Sequence, residues 1–151
     1  MKKALKIMGA ILLLVFIAIQ LYQPAPNVDK GQPATTDFMQ TYSDMPAEIK
    51  MIMQTSCYDC HSNNTNYEWY DYIQPARSLL VEKHIKEAKE DLNFSEWDSY
   101  SQRKQKRLIT SIKKQIETKK MPMSSYTLMH HNAKLNNVQI KLLTQWLETQ
   151  E

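Results

Sequence analysis

Apolar residues crowd the start of the chain. From Ile7 to Leu21 it reads Ile-Met-Gly-Ala-Ile-Leu-Leu-Leu-Val-Phe-Ile-Ala-Ile-Gln-Leu without a charge, behind Lys2, Lys3 and Lys6 and ahead of Tyr22. Such a run predicts a membrane helix whose basic flank stays inside. It is short for a span of roughly 20 residues, but Ala4 and Leu5 extend it when Lys6 reaches toward the headgroups. A cleavable signal would end in a small-x-small site, whereas the exit reads Gln20-Leu21-Tyr22-Gln23-Pro24-Ala25-Pro26. Residues 1–22 are therefore expected to remain as an anchor. No cysteine follows the run, which excludes a lipoprotein anchor at this site.

From 23 to 44 the pattern loses any period. Pro24, Pro26, Gly31 and Pro33 stand among polar residues, and the stretch reads as a flexible tether. Beyond it the period becomes helical. Asp44 is a candidate N-cap with Pro46 in the first turn, ahead of Ile49, Ile52 and Met53. Pro75 is expected to open a helix to about Glu90 that buries Leu79, Leu80, Ile85 and Ala88. Ser95 and Asp98 suggest a capping box. A long helix is expected from about Ser101 to Lys119, with Leu108, Ile109, Ile112 and Ile116 on one face and Pro122 as its stop. The last helix starts at Asn136, with Gln139 three residues on, and carries Val138, Leu142, Leu143, Trp146 and Leu147 as a stripe.

Composition sharpens this reading. Among 151 residues the only glycines are Gly9 and Gly31, so the region after the tether lacks the residue that tight hairpins need. The fold class is all-α, with one domain over 45–151. The net charge of +3 comes from the N-terminal lysines; without those three, sixteen basic residues face sixteen acidic ones. Arg103, Lys104, Lys106, Arg107, Lys113, Lys114, Lys119 and Lys120 nonetheless share one stretch with Glu117 as the only acid. That is a solvated helix face or a docking patch for an acidic partner or anionic lipid. Nucleic acid is not expected outside the cytoplasm.

The candidate chemistry lies in Cys57-Tyr58-Asp59-Cys60-His61, which holds both cysteines of the chain. C-x-x-C-H is the attachment signature of c-type haem: two thiols one turn apart meet the two vinyl groups, and the adjacent histidine binds iron from below. A thioredoxin-like pair would need a βαβ context, and zinc would need further ligands that His84, His130 and His131 do not supply as a spaced set. A Cys57–Cys60 disulfide would close too short a loop to stabilise much. Covalent attachment in bacteria takes place outside the cytoplasmic membrane, in agreement with the anchor.

A low-spin carrier needs a sixth ligand from a distant segment. Met121, ahead of Pro122 and after the long helix, is the leading candidate; Met123, His130, His131 and His84 remain alternatives. Methionine is also a common core filler, and a surface or partly buried imidazole is the ordinary state of each histidine.

These residues resemble the small bacterial haem-binding domain proteins, single-haem, helical and membrane-anchored. The likeness runs through Cys57-Tyr58-Asp59-Cys60-His61-Ser62-Asn63, Trp69-Tyr70, His84-Ile85 in the Pro75 helix, Leu92 to Trp97, Met121-Pro122, Tyr126, His130 to Leu135 and Trp146. The resemblance implies one covalent haem c on Cys57 and Cys60 with His61 as proximal ligand and, by similarity to class I cytochromes c, Met121 as distal ligand. The glycine-free stretch between the haem motif and Met121 departs from a typical cytochrome c.

The expected function is electron transfer by a cytochrome c-like domain on the periplasmic face of the cytoplasmic membrane, exchanging electrons with a partner protein. The alternative is a haem-based sensor or ligand-binding module with a weak or absent distal ligand. An enzyme is not expected, because nothing in the sequence places a general acid and base beside an open distal site.

Overall fold

The computed structural model describes residues 1–31 and 36–151. Among them every regular element is helical: α1 (Lys2–Gln20), α2 (Phe38–Thr41), α3 (Ala47–Ser56), α4 (Tyr58–His61), α5 (Glu82–Asp91), α6 (Gln102–Glu117), α7 (Ser124–Met129) and α8 (Asn137–Glu148). Short turns lie at Trp69–Tyr72, Phe94–Ser99 and His131–Ala133, and a wider π turn at Arg77–Val81 leads into α5. The all-α reading holds.

α1 is apolar and long enough to cross a membrane. Its 19 residues rise about 28 Å at 1.5 Å each, close to a hydrocarbon core. None of its side chains is buried against the rest of the chain.

The core is built where α3, α6 and α8 meet the turn at Phe94–Ser99. Ile49 and Met53 of α3, Ile109 and Ile116 of α6, and Leu143 and Leu147 of α8 are almost fully buried. Phe38 packs edge-on against Trp97 with centroids 4.7 Å apart and lies 5.1 Å from Phe94. α8 begins as its sequence demands: Asn136 Oδ1 accepts from the Val138 and Gln139 amides, both at 2.9 Å, while Gln139 Oε1 accepts from the Asn136 amide at 3.0 Å. This reciprocal cap satisfies amides that the first turn leaves without partners.

Several expectations change. The residue ahead of α3 is Pro46 rather than Asp44. Phe94–Ser99 is capped by Asn93, whose Oδ1 accepts from the Ser95 amide at 3.1 Å, in place of a Ser95–Asp98 box. Val138, in the first turn of α8, is exposed. Leu79 and Leu80 are also exposed, since the π turn points Arg77 inward instead.

Arg77 is 1% exposed, lies 4.4 Å from the Tyr72 ring centroid and 4.8 Å from that of Tyr67, and pairs with Glu82 at 3.2 Å. Its Nη2 also donates to the Pro24 carbonyl. A guanidinium between two aromatic faces with a carboxylate beside it offsets part of the cost of burial.

The segment expected as a tether is laid against the domain over much of its length. The Asn27 amide donates to Tyr67 Oη at 2.8 Å and its Nδ2 to the Ser62 carbonyl, while Lys89 Nζ donates to its Oδ1 at 2.6 Å. Phe38 and Met39 enter the core through α2, capped by Asp37. Hydrogen bonds of this kind need no hydrophobic period, and one helical turn is too short to show one. Residues 32–35, including Pro33, lie outside the described residues.

Candidate functional site

The Cys57 amide still donates to the Met53 carbonyl, but the Cys57 backbone (φ −129°, ψ −42°) breaks the helix there. α4 then makes one turn, closed by the His61 amide donating to the Cys57 carbonyl at 3.0 Å. One turn is what brings residues 57, 60 and 61 onto a single short rod. Cys57 and His61 line a cavity of about 340 Å³, while Cys60 stands outside its lining.

His61 is oriented by main chain. Its Nδ1 lies 3.0 Å from the Leu92 carbonyl oxygen and 3.1 Å from that of Ala88, at the end of α5. A carbonyl oxygen only accepts, so Nδ1 carries a proton, and in the neutral imidazole Nε2 keeps its lone pair. Carbonyl contacts of this kind orient and tune histidines that bind metals. Phe94 packs edge-on at 6.1 Å from the imidazole and stacks on Tyr58 at 5.0 Å, which fixes the ring's outer flank.

The cavity's apolar wall comes from Leu108, Ile112 and Ile116 of α6 with Leu92, Phe94 and Leu135. The sequence therefore identified the α6 stripe correctly, but two of its four members, Leu108 and Ile112, are half-buried and face this cavity.

Met121 reaches the same cavity through the end of α6. Thr118 closes the helix and Lys119 takes φ +54°; the Lys119 amide donates to the Ile116 carbonyl at 3.0 Å and the Lys120 amide to that of Gln115 at 2.9 Å. This left-handed cap turns the chain sharply, and Met121 and Pro122 enter the lining. Lys119 is the only non-glycine residue with positive φ among those described.

Met123, His84, His130 and His131 do not line the cavity. His130 has both nitrogens engaged: Nδ1 donates to the Tyr126 carbonyl at 3.2 Å, so Nε2 accepts from Tyr70 Oη at 3.2 Å. Its ring stacks on Tyr126 with centroids 4.1 Å apart.

Tyr126 in turn donates to Asp59 Oδ2 at 2.6 Å, tying the segment after Met121 to the residue between the two cysteines. Burial, with the Asp59 bond adding to it, raises the Tyr126 phenol well above its ordinary value. The sequence reading missed Asp59 and Tyr126 as a pair, and nothing in their spacing announces it. The Leu92 carbonyl was equally invisible, being main chain.

Both thiols are free and half-buried. Burial pushes Cys57 up to about 12, with Cys60 adding a smaller effect; burial, then Asp59 and Asp71, push Cys60 up to about 11. At neutral pH both are protonated. Among the described residues no three His, Cys, Asp or Glu side chains form a cluster able to hold a metal ion.

A family model described as a haem-binding domain matches residues 14–149. No curated protein and no solved structure matches the chain.

Proposed function

Since the chain belongs to the haem-binding domain family, we propose that it is a monohaem c-type cytochrome domain that carries electrons rather than catalysing a reaction. The supporting observation is the shared cavity. Cys57 is in its lining, His61 presents an Nε2 freed by the Leu92 and Ala88 carbonyls, and Met121 arrives from the far end of α6. An apolar wall with one nitrogen and one thioether donor suits a porphyrin and its iron. Haem c would supply one-electron Fe(III)/Fe(II) chemistry here.

In this reading Cys57, in the lining, and Cys60, one turn on and just outside it, would hold the group covalently, and His61 and Met121 would be its iron ligands. Leu108, Ile112, Ile116 and Leu135 exclude water from it. The Leu92 carbonyl holds the imidazole proton on Nδ1, which strengthens the nitrogen left for iron.

The anchor reading makes α1 a single pass that leaves the domain on the periplasmic face. α6, the helix that walls the cavity, also carries exposed Arg103, Lys106, Arg107 and Lys114. A redox partner with an acidic face would be steered toward the haem by that helix.

Carbon monoxide binding to the reduced protein tests the role. With Met121 bound the wild-type protein takes up carbon monoxide poorly, and Met121→Ala takes it up readily. Ready uptake by both would make the domain a ligand-binding module instead.

A further inference from the structure

One group of the large apolar side chains that the domain leaves uncovered lies in the segment that meets the end of α1. Trp69 is 75% exposed, Leu79 64% and Leu80 55%, with Tyr72 and Ile73 exposed beside them. All five lie within six residues of Gln74.

Gln74 is clasped to the end of α1. Gln20 Nε2 donates to the Gln74 carbonyl at 3.0 Å, and Gln20 Oε1 accepts from the Gln74 amide at 2.9 Å. Gln74 Nε2 answers by donating to the Tyr22 carbonyl at 2.9 Å, and Gln23 Nε2 donates to the Tyr72 carbonyl at 3.0 Å. Gln74 itself is 3% exposed. The last turn of the apolar helix and the uncovered face are therefore held together by side-chain amides on both strands of the contact.

The inward turn of Arg77 fixes which way the leucines point. With its guanidinium between Tyr67 and Tyr72, the residue two further along a helical path lies on the opposite side, where Leu79 is found exposed. Two leucines turned outward beside a tryptophan are poorly suited to water, but tryptophan with aliphatic neighbours is the composition of a membrane interface.

We propose that this face lies on the lipid bilayer, with Trp69, Leu79 and Leu80 among the headgroups of the membrane that α1 crosses. The inference rests on reading α1 as an anchor. When α1 spans the hydrocarbon, Gln20 stands at its edge, and the clasp brings residues 69–80 to the same level. The domain is then held in one orientation by a helix and a patch, rather than swinging on a tether.

The test places the photo-crosslinking residue p-benzoylphenylalanine at position 15, 80 or 138 of the full haem-loaded chain, in phosphatidylcholine vesicles. Val15, Leu80 and Val138 are all exposed, so each site accepts the larger side chain without disturbing the core. Lipid adducts at 15 and 80, at least about tenfold above those at 138, are expected, because only the first two positions then contact lipid. Adducts at 15 without adducts at 80 overturn the docking and leave the anchor standing. Adducts from 80 to a second polypeptide also overturn it. Absence of lipid adducts at 15 overturns the anchor and the docking together.

Discussion

Tyr126→Phe removes the hydrogen bond by which α7 grips α4 and leaves the rest of the contact in place. The phenylalanine ring can keep the stack on His130, now 4.1 Å between centroids with 15° between planes. What disappears is the 2.6 Å bond to Asp59 Oδ2, while Asp59 Oδ1 keeps the Asn66 amide at 3.1 Å. A hydrogen bond to a charged acceptor contributes about 1.5–3 kcal/mol. Partial exposure of both partners places the loss toward the lower end, about 2 kcal/mol. For a domain of this size that lowers Tm by about 8 °C. The effect has a pH signature. Because the folded phenol titrates above its ordinary value, its contribution is complete below that value and is lost as pH rises toward the folded one. The gap between wild type and variant should thus be constant from pH 7 to about 9 and narrow in strong alkali. Thermal unfolding followed by circular dichroism across that range measures it. A Tm within 2 °C of wild type at pH 7 would refute the reasoning, since roughly a quarter of the expected loss is the most that it allows.

Lys119→Gly relieves the left-handed cap of α6 and should stabilise the protein by about 1 kcal/mol, or roughly 4 °C in Tm; an unchanged or lower Tm would show that Lys119 is not strained there. Met121→Ala should lower the reduction potential, with Met123→Ala close to wild type, in a redox titration of the haem-loaded proteins; the reverse order would make Met123 the ligand. In haem-free protein the two thiols, pushed up to about 12 and about 11, should resist iodoacetamide until well above pH 9. Because both thiols hold their protons more tightly in the folded state, their contribution is complete below about pH 9 and is lost progressively as pH rises from there through about 11 and about 12, so stability should fall with pH across that window. Alkylation of the native thiols at pH 8, as fast as in urea, would contradict their burial.

The long periodic elements were legible in the sequence because packing and capping agree with each other there. The Asn136–Gln139 box of α8 appears as written and its stripe from Leu142 to Leu147 packs inward, with Val138 the exception, and α6 spans Gln102–Glu117 as its apolar face requires. Cys57, Cys60 and His61 were legible as a candidate site because three chemistry-bearing residues share one turn. What escaped was set by tertiary context. Phe38 and Met39 enter the core from a single turn, too short for periodicity to reveal. Leu79 and Leu80 carried the expected helical spacing, but Arg77 occupies the inward face beside them with Tyr67 and Tyr72. The cap at Lys119 uses a lysine where glycine is the usual signal, so Pro122 marked the end of α6 in the sequence but the left-handed residue itself did not show.

The intact mass of the protein, matured in a compartment that assembles c-type cytochromes, tests the central claim most directly. The expected mass is that of the polypeptide plus one haem, unchanged after extraction with acid and acetone, and that of Cys57→Ala with Cys60→Ala is the bare polypeptide. A wild-type mass equal to the polypeptide alone, with the pigment recovered in the solvent, would contradict the account.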